Sequence, residues 1–260
     1  MIYNKRTLLL IFSFSFISFS CVQEKLSFIN VINLNNSPNS PKDEGLNVFF
    51  DLGSWMGFSL TDEETNTGFS GPYILGLEHG IWSSNNFASI DLISENGNSL
   101  LTNLNYSEQK YFPGKLENQL HFENIELISN LIFTSDRSAI ISSKITNNGN
   151  QNLKFSPQWK GEIFDEIGDL IKNDTTLITL LDKNQKIFLR PINDNEFNIL
   201  TDANKYVITL NNIILKPKET KTYTIEGYEY EVHPYIIGTK PPTVIINING
   251  MELTNRKRDK

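Results

Sequence analysis

A single cysteine, three scattered histidines and a shortage of positive charge remove several kinds of chemistry from this 260-residue chain. Cys21 has no partner for an internal disulfide, and it excludes a dithiol redox role or a Cys-based zinc cage. His79, His121 and His233 stand far apart without metal-ligand spacing. Lys and Arg number 23 against 30 Asp and Glu, a formal charge of -7, which argues against nucleic acid or anionic lipid as partners. No stretch keeps a 3.6-residue apolar period for three turns, so helices are not expected. What the chain does have is 39% hydrophobic residues, adequate for a core.

The N-terminus carries Lys5 and Arg6, an apolar run from Leu8 to Phe19, then Ser20 and Cys21. This is the pattern of an export signal over residues 1–20, and the run falls short of the roughly 20 apolar residues that span a bilayer. Cys21 directly after it fits a bacterial lipoprotein, acylated there and tethered to a periplasmic or surface membrane through the lipid alone. The alternative is ordinary cleavage that leaves a thiol. Removing Lys5 and Arg6 takes two positive charges from the formal -7 and leaves -9. Residues 21–45, rich in Asn, Ser and Pro in their second half, read as a tether, with Leu26–Leu34 able to add an edge strand.

From residue 46 to 232 the pattern is β. Leu153, Phe155, Pro157 and Trp159 alternate with Asn152, Lys154, Ser156, Gln158 and Lys160, which gives one buried and one wet face. Pro157 marks this strand as an edge or a bulge. Arg137–Thr146 precedes it, and the intervening Asn147-Asn148-Gly149-Asn150 predicts a tight hairpin between the two. Further strands are expected over 87–93, 119–122, 125–133, 176–181, 186–191, 206–210 and 222–230. Apolar parity slips at Glu226-Gly227, which predicts a bulge or a change of sheet. Together these predict an all-β fold, a sandwich of two antiparallel sheets. Residues 233–260 read as linker-like, with one more short strand possible over 243–248.

The segment Asn47–Pro72 is aromatic and punctuated by glycine, with Asp51, Trp55, Gly57 and Phe58 in its first half. It resembles the opening motif of bacterial glucosidases of glycoside hydrolase family 63. Asp136–Asn148 followed by Gln158-Trp-Lys-Gly-Glu162 is similar to that family's central hairpin. Asn204–Leu210 and Lys216–Tyr223 are similar to the strands closing its N-terminal domain. The resemblance implies a super-sandwich that precedes a catalytic (α/α)6 barrel, no cofactor or metal, and inverting hydrolysis of α-linked gluco-oligosaccharides by two barrel carboxyls. No carboxylate here inherits those roles, and the chain is expected to end before such a barrel. Two positions depart from the pattern: Met56 stands where a His is expected, and Lys218 where a Gly is expected.

Trp55, with Phe49, Phe50 and Phe58 nearby, can stack on a sugar ring, or these aromatics can pack the core or its contact with a following domain. If Phe49 and Phe50 lie on a strand, at most one is core. Gly53, Gly57, Gly68 and Gly71-Pro72 suit a structured loop at an interface. No helix is expected after them and no Lys stands beside them, which argues against a phosphate loop. Asp51, Asp62, Glu63, Glu64 and Glu78 form one acidic set, and Glu162, Asp165, Glu166 and Asp169 another. Neither has calcium-loop spacing. The expected site is therefore Asp51, Trp55, Gly57 and Phe58 as a substrate-binding or domain-interface segment, with Cys21 as the lipidated residue.

Overall fold

A computed structural model describes residues 28–75, 80–172, 176–180, 185–192 and 196–231. The signal segment, Cys21, Glu78, His79, His233 and the stretch 233–260 lie outside them.

Three short strands come first, β1 (Met56–Ser59), β2 (Ser70–Ile74) and β3 (Ile81–Trp82), followed by β4 (Asn86–Ser94). A meander of β5 (Leu104–Phe112), β6 (Lys115–Phe122), β7 (Ile125–Ser135) and β8 (Ser138–Asn147) leads into β9 (Leu153–Glu162). Then come β10 (Leu170–Lys172), β11 (Leu177–Leu180), β12 (Gln185–Pro191), β13 (Phe197–Asp202), β14 (Lys205–Leu210), β15 (Ile213–Leu215) and β16 (Thr220–Glu231). The large sheet runs β10-β11-β12-β16-β8-β7-β6-β5. The second sheet holds β13, β14, β9 and β15, with β4 on the far side of β9. Every named pairing is antiparallel.

Alternation explains why these segments face each other. On β7, Ile125, Leu127, Leu131 and Phe133 point inward, while Glu126, Ile128, Asn130 and Ile132 are more open. On the opposing sheet Phe155, Trp159, Tyr206 and Ile208 are buried, each apolar side chain contributing about 1.5–3 kcal/mol through burial. The expected sandwich is present. A third sheet, β1-β2-β3, adds Met56, Phe58 and Ile74 to the same core.

Several local expectations are overturned. The hairpin expected between β8 and β9 does not form: β8 pairs with β7 and β16, whereas β9 pairs with β4, β14 and β15 in the other sheet. Neither Asn148 nor Gly149 takes a positive φ. Instead the fully buried Asn147 anchors a crossover. Its Nδ2 donates to Gln151 O at 2.7 Å and Leu215 O at 3.0 Å, and its Oδ1 accepts the Gly149 N–H at 2.9 Å. Tertiary hydrogen bonds thus outweigh the local turn preference of Asn-Gly. Strand β9 is internal, not an edge; Pro157 lies opposite the interruption between β14 and β15, where no continuous partner requires its missing N–H.

Strand β16 shows no bulge or change of sheet either, since its register on β8 is unbroken from Thr220 opposite Thr146 to Tyr228 opposite Ser138. Gly227 holds the core-facing position, where an added Cβ would lie 3.6 Å from Phe87. The segment read as a tether packs down from Leu34 onward: Leu34 is buried, and Trp82 donates its backbone N–H to Pro41 O and its indole N–H to Gly45 O. Lys218 takes φ 63 at the third position of a turn closed by the Glu219 N–H on Lys216 O, a conformation to which glycine is suited.

Candidate domain-interface surface

The opening motif begins with a tight turn. Ser54 N–H donates to Asp51 O at 2.9 Å, Leu52 N–H donates to Asp51 Oδ1 at 2.7 Å, and Leu52 and Gly53 take positive φ. This reversal lets Phe49 and Phe58 exchange backbone hydrogen bonds of 2.7 and 3.1 Å. Trp55 is then held at both backbone groups, its N–H on Asp136 O at 3.2 Å and its carbonyl accepting the Leu75 N–H at 2.8 Å. The residue nevertheless remains 41% exposed. Phe50, Leu52 and Leu75 are exposed as well. Asp136 belongs to the β7–β8 turn, and a Cβ on Gly114 of the β5–β6 turn would lie 3.5 Å from Asp51 Oδ2. The motif therefore spans two turns at one end of the large sheet.

Behind that surface the motif is structural. Phe58 is buried, its ring 6.1 Å from Phe87 and 6.0 Å from Phe133. A Cβ on Gly57 would fall 2.4 Å from Val48 Cγ1 and 2.7 Å from the Phe50 ring, so glycine is what allows Phe50 to lie across β1. From there Phe50 meets Tyr73 at 6.3 Å, and Tyr73 meets Trp82 at 5.0 Å. Met56, one residue from the exposed Trp55, is fully buried beside its cross-strand partner Ile74. Of the four expected residues, Asp51 and Trp55 reach the surface, while Gly57 and Phe58 support it. As the alternation required, Phe49 is core and Phe50 is not. Leu52 and Leu75 were not singled out in the sequence, because a lone exposed Leu carries no local signal.

The two acidic sets meet, which their separation in sequence hides. Asp62 and Glu63 from one and Glu162 from the other line an open cleft of about 660 Å³ together with Asn85, Asn86 and Lys205. Glu162 pairs with Lys205 at 3.3 Å and accepts the Asn204 amide at 3.2 Å. Lys160, on the cleft wall, is committed to Asp91 at 2.6 Å. Burial pushes the Asp91 carboxyl up, but hydrogen bonds from Lys160 and Ser99 outweigh it and hold the group below its usual value. His121 lies elsewhere, 3.5 Å from Glu126 on the outer face of the large sheet. Among the described residues no group of three or more His, Cys, Asp or Glu is placed to hold a metal ion.

The family described as Glucosidase YgjK, N-terminal, matches residues 35–218. Solved structures with related shape include a heparan sulfate lyase HepC mutant from Pedobacter heparinus, at 8% identity and TM-score 0.41, covering 55% of this chain and 24% of that one. A protein assigned as a kojibiose phosphorylase from the human microbiome has 10% identity and TM-score 0.46 over 68% of this chain and 29% of that one. A protein assigned as an aldose 1-epimerase from Escherichia coli K12 has 8% identity and TM-score 0.47 over 69% of this chain and 97% of that one. The chain spans less than a third of the length of the first two.

Proposed function

Because the chain belongs to the family of glucosidase YgjK N-terminal domains, we propose that it is a non-catalytic β-sandwich that docks against a helical catalytic domain in carbohydrate processing. The partner is an (α/α)6 barrel of the family 63 kind, lying outside these residues and acting on α-linked gluco-oligosaccharides. The observation that supports this is the Trp55 surface. Exposed Trp55, Phe50, Leu52 and Leu75 surround a backbone fixed to the β7–β8 turn, and such rigid, apolar presentation suits docking. The domain is exported and held to the membrane through acylated Cys21.

Gel filtration of residues 21–260 with the helical catalytic domain of a YgjK-type glucosidase tests the proposal. Co-elution that Trp55→Ala abolishes supports it. Hydrolysis of α-glucosides by residues 21–260 alone, lost on changing one specific carboxylate, refutes it.

A second reading rests on the same exposed indole: a free-standing lipoprotein that stacks Trp55 on a sugar ring. Saturable quenching of tryptophan emission by α-gluco-oligosaccharides, abolished by Trp55→Ala, would favour it over docking.

A further inference from the structure

The segment that runs along the outer edge of β5 is held to the protein by asparagines and leaves large apolar side chains in the open. Two of its asparagines bind it to neighbouring stretches of the chain. Asn30 donates its backbone N–H to Tyr111 O at 2.9 Å, and its Oδ1 accepts the Tyr111 N–H at 2.7 Å. Asn35 donates its side-chain amide to Thr61 O at 3.2 Å and to Gln109 Oε1. Leu34 is buried, but the apolar residues before it face outward: Phe28 is 57% exposed, Ile29 40%, Val31 64% and Ile32 53%. Four large apolar side chains exposed within five residues form the kind of patch that marks a contact with lipid or protein.

Chemistry and position select that partner. Residues 26–41 contain no charged side chain, so nothing in the stretch opposes transfer to a low-dielectric interface. Phe28 follows Cys21 by seven residues, a reach of at most about 25 Å in a fully extended chain. An acyl group on Cys21 would therefore hold this face against the bilayer. The chain's acidic balance disfavours anionic lipid and leaves a zwitterionic surface. We propose that Phe28, Ile29, Val31 and Ile32 insert into the lipid interface beside the anchored N-terminus. The β5 edge of the domain would then face the membrane. This inference rests on the lipoprotein reading of Cys21, and its test separates the two.

All three tryptophans of the chain are described, and Trp82 and Trp159 are fully buried. In a Trp55→Phe background, a tryptophan introduced by Phe28→Trp is therefore the one exposed indole. The full chain carrying both changes is reconstituted in phosphatidylcholine vesicles with or without bromine-labelled acyl chains, and Lys154→Trp in the same background serves as the control on the other sheet. Intact mass reads the acylation of Cys21 separately. The expected result is a several-fold greater loss of emission to brominated lipid for Phe28→Trp than for Lys154→Trp. If Cys21 proves unmodified and Phe28→Trp is still quenched, the contact stands on its own surface. Equal quenching at the two positions, or a blue-shifted Phe28→Trp emission that bromine does not quench, overturns the inference, the latter by showing a protein partner on this face.

Discussion

The phenolic oxygen of Tyr206 on β14 accepts the backbone N–H of Ala88 on β4 at 3.1 Å, across the intervening strand β9. Ala88 takes φ 53 where the β4 register shifts between Asn86 and Ser89, and the phenol recovers a hydrogen bond there. Gly161 leaves the room, since a Cβ on it would fall 2.4 Å from the Tyr206 oxygen. Tyr206→Phe leaves the buried amide without that acceptor and is expected to destabilise the fold by about 1–3 kcal/mol. Urea denaturation checks this; an unchanged midpoint would show that the bulge does not depend on the phenol.

Alkaline pH provides a related test. Burial raises the Tyr206 phenol well above its ordinary range, and burial followed by the charge of Glu219 pushes Tyr223 up to about 12. Both groups ionise more readily in the unfolded chain, near pH 10. Their contribution to stability is complete below that value and is lost as pH rises through the folded values. Thermal melting temperature should therefore fall between pH 10 and 12, with the fall reduced in a Tyr223→Phe variant. A melting temperature flat across that window contradicts the assignment.

Adjacent positions in the opening motif should behave in opposite ways. Met56→Ala removes a fully buried side chain and is expected to cost about 2–5 kcal/mol. Trp55→Ala changes a half-exposed one and should leave stability within about 0.5 kcal/mol. Parallel thermal melts decide the matter, and a large loss at Trp55 would assign that residue to the core.

Glu226 is buried on the large sheet, where it accepts Arg190 at 2.9 Å and the Ser138 hydroxyl at 2.9 Å. Arg190→Ala leaves that carboxylate buried without its countercharge and should destabilise by about 3 kcal/mol. Adding Glu226→Gln to Arg190→Ala should recover part of the loss. A double-mutant cycle with no coupling would exclude a structural role for the pair.

Strands with strong alternation could be read from the sequence, but their partners could not. Phe155, Pro157 and Trp159 face inward as their spacing predicts, yet β9 lies in a different sheet from β8 because Asn147 bonds across the chain to Leu215 O. Strand β5 escaped notice because neither of its faces is fully buried, and β1 and β2 because every residue in them is. Gly227 imitates a slip in register simply by lacking a side chain. At the candidate surface, the division between Phe49 and Phe50 was readable from parity. The exposure of Trp55 was not, since it depends on hydrogen bonds to Asp136 and Leu75, residues distant in sequence.

Tryptophan emission tests docking at Trp55 most directly, because Trp82 and Trp159 are fully buried and an added quencher reaches Trp55 alone. Acrylamide quenching is measured on residues 21–260 with increasing helical catalytic domain from a YgjK-type glucosidase, that partner's own tryptophans replaced by phenylalanine. The prediction is a saturable blue shift with protection from acrylamide. Emission that stays exposed at saturating partner, or protection produced by α-gluco-oligosaccharide without any partner, would contradict it.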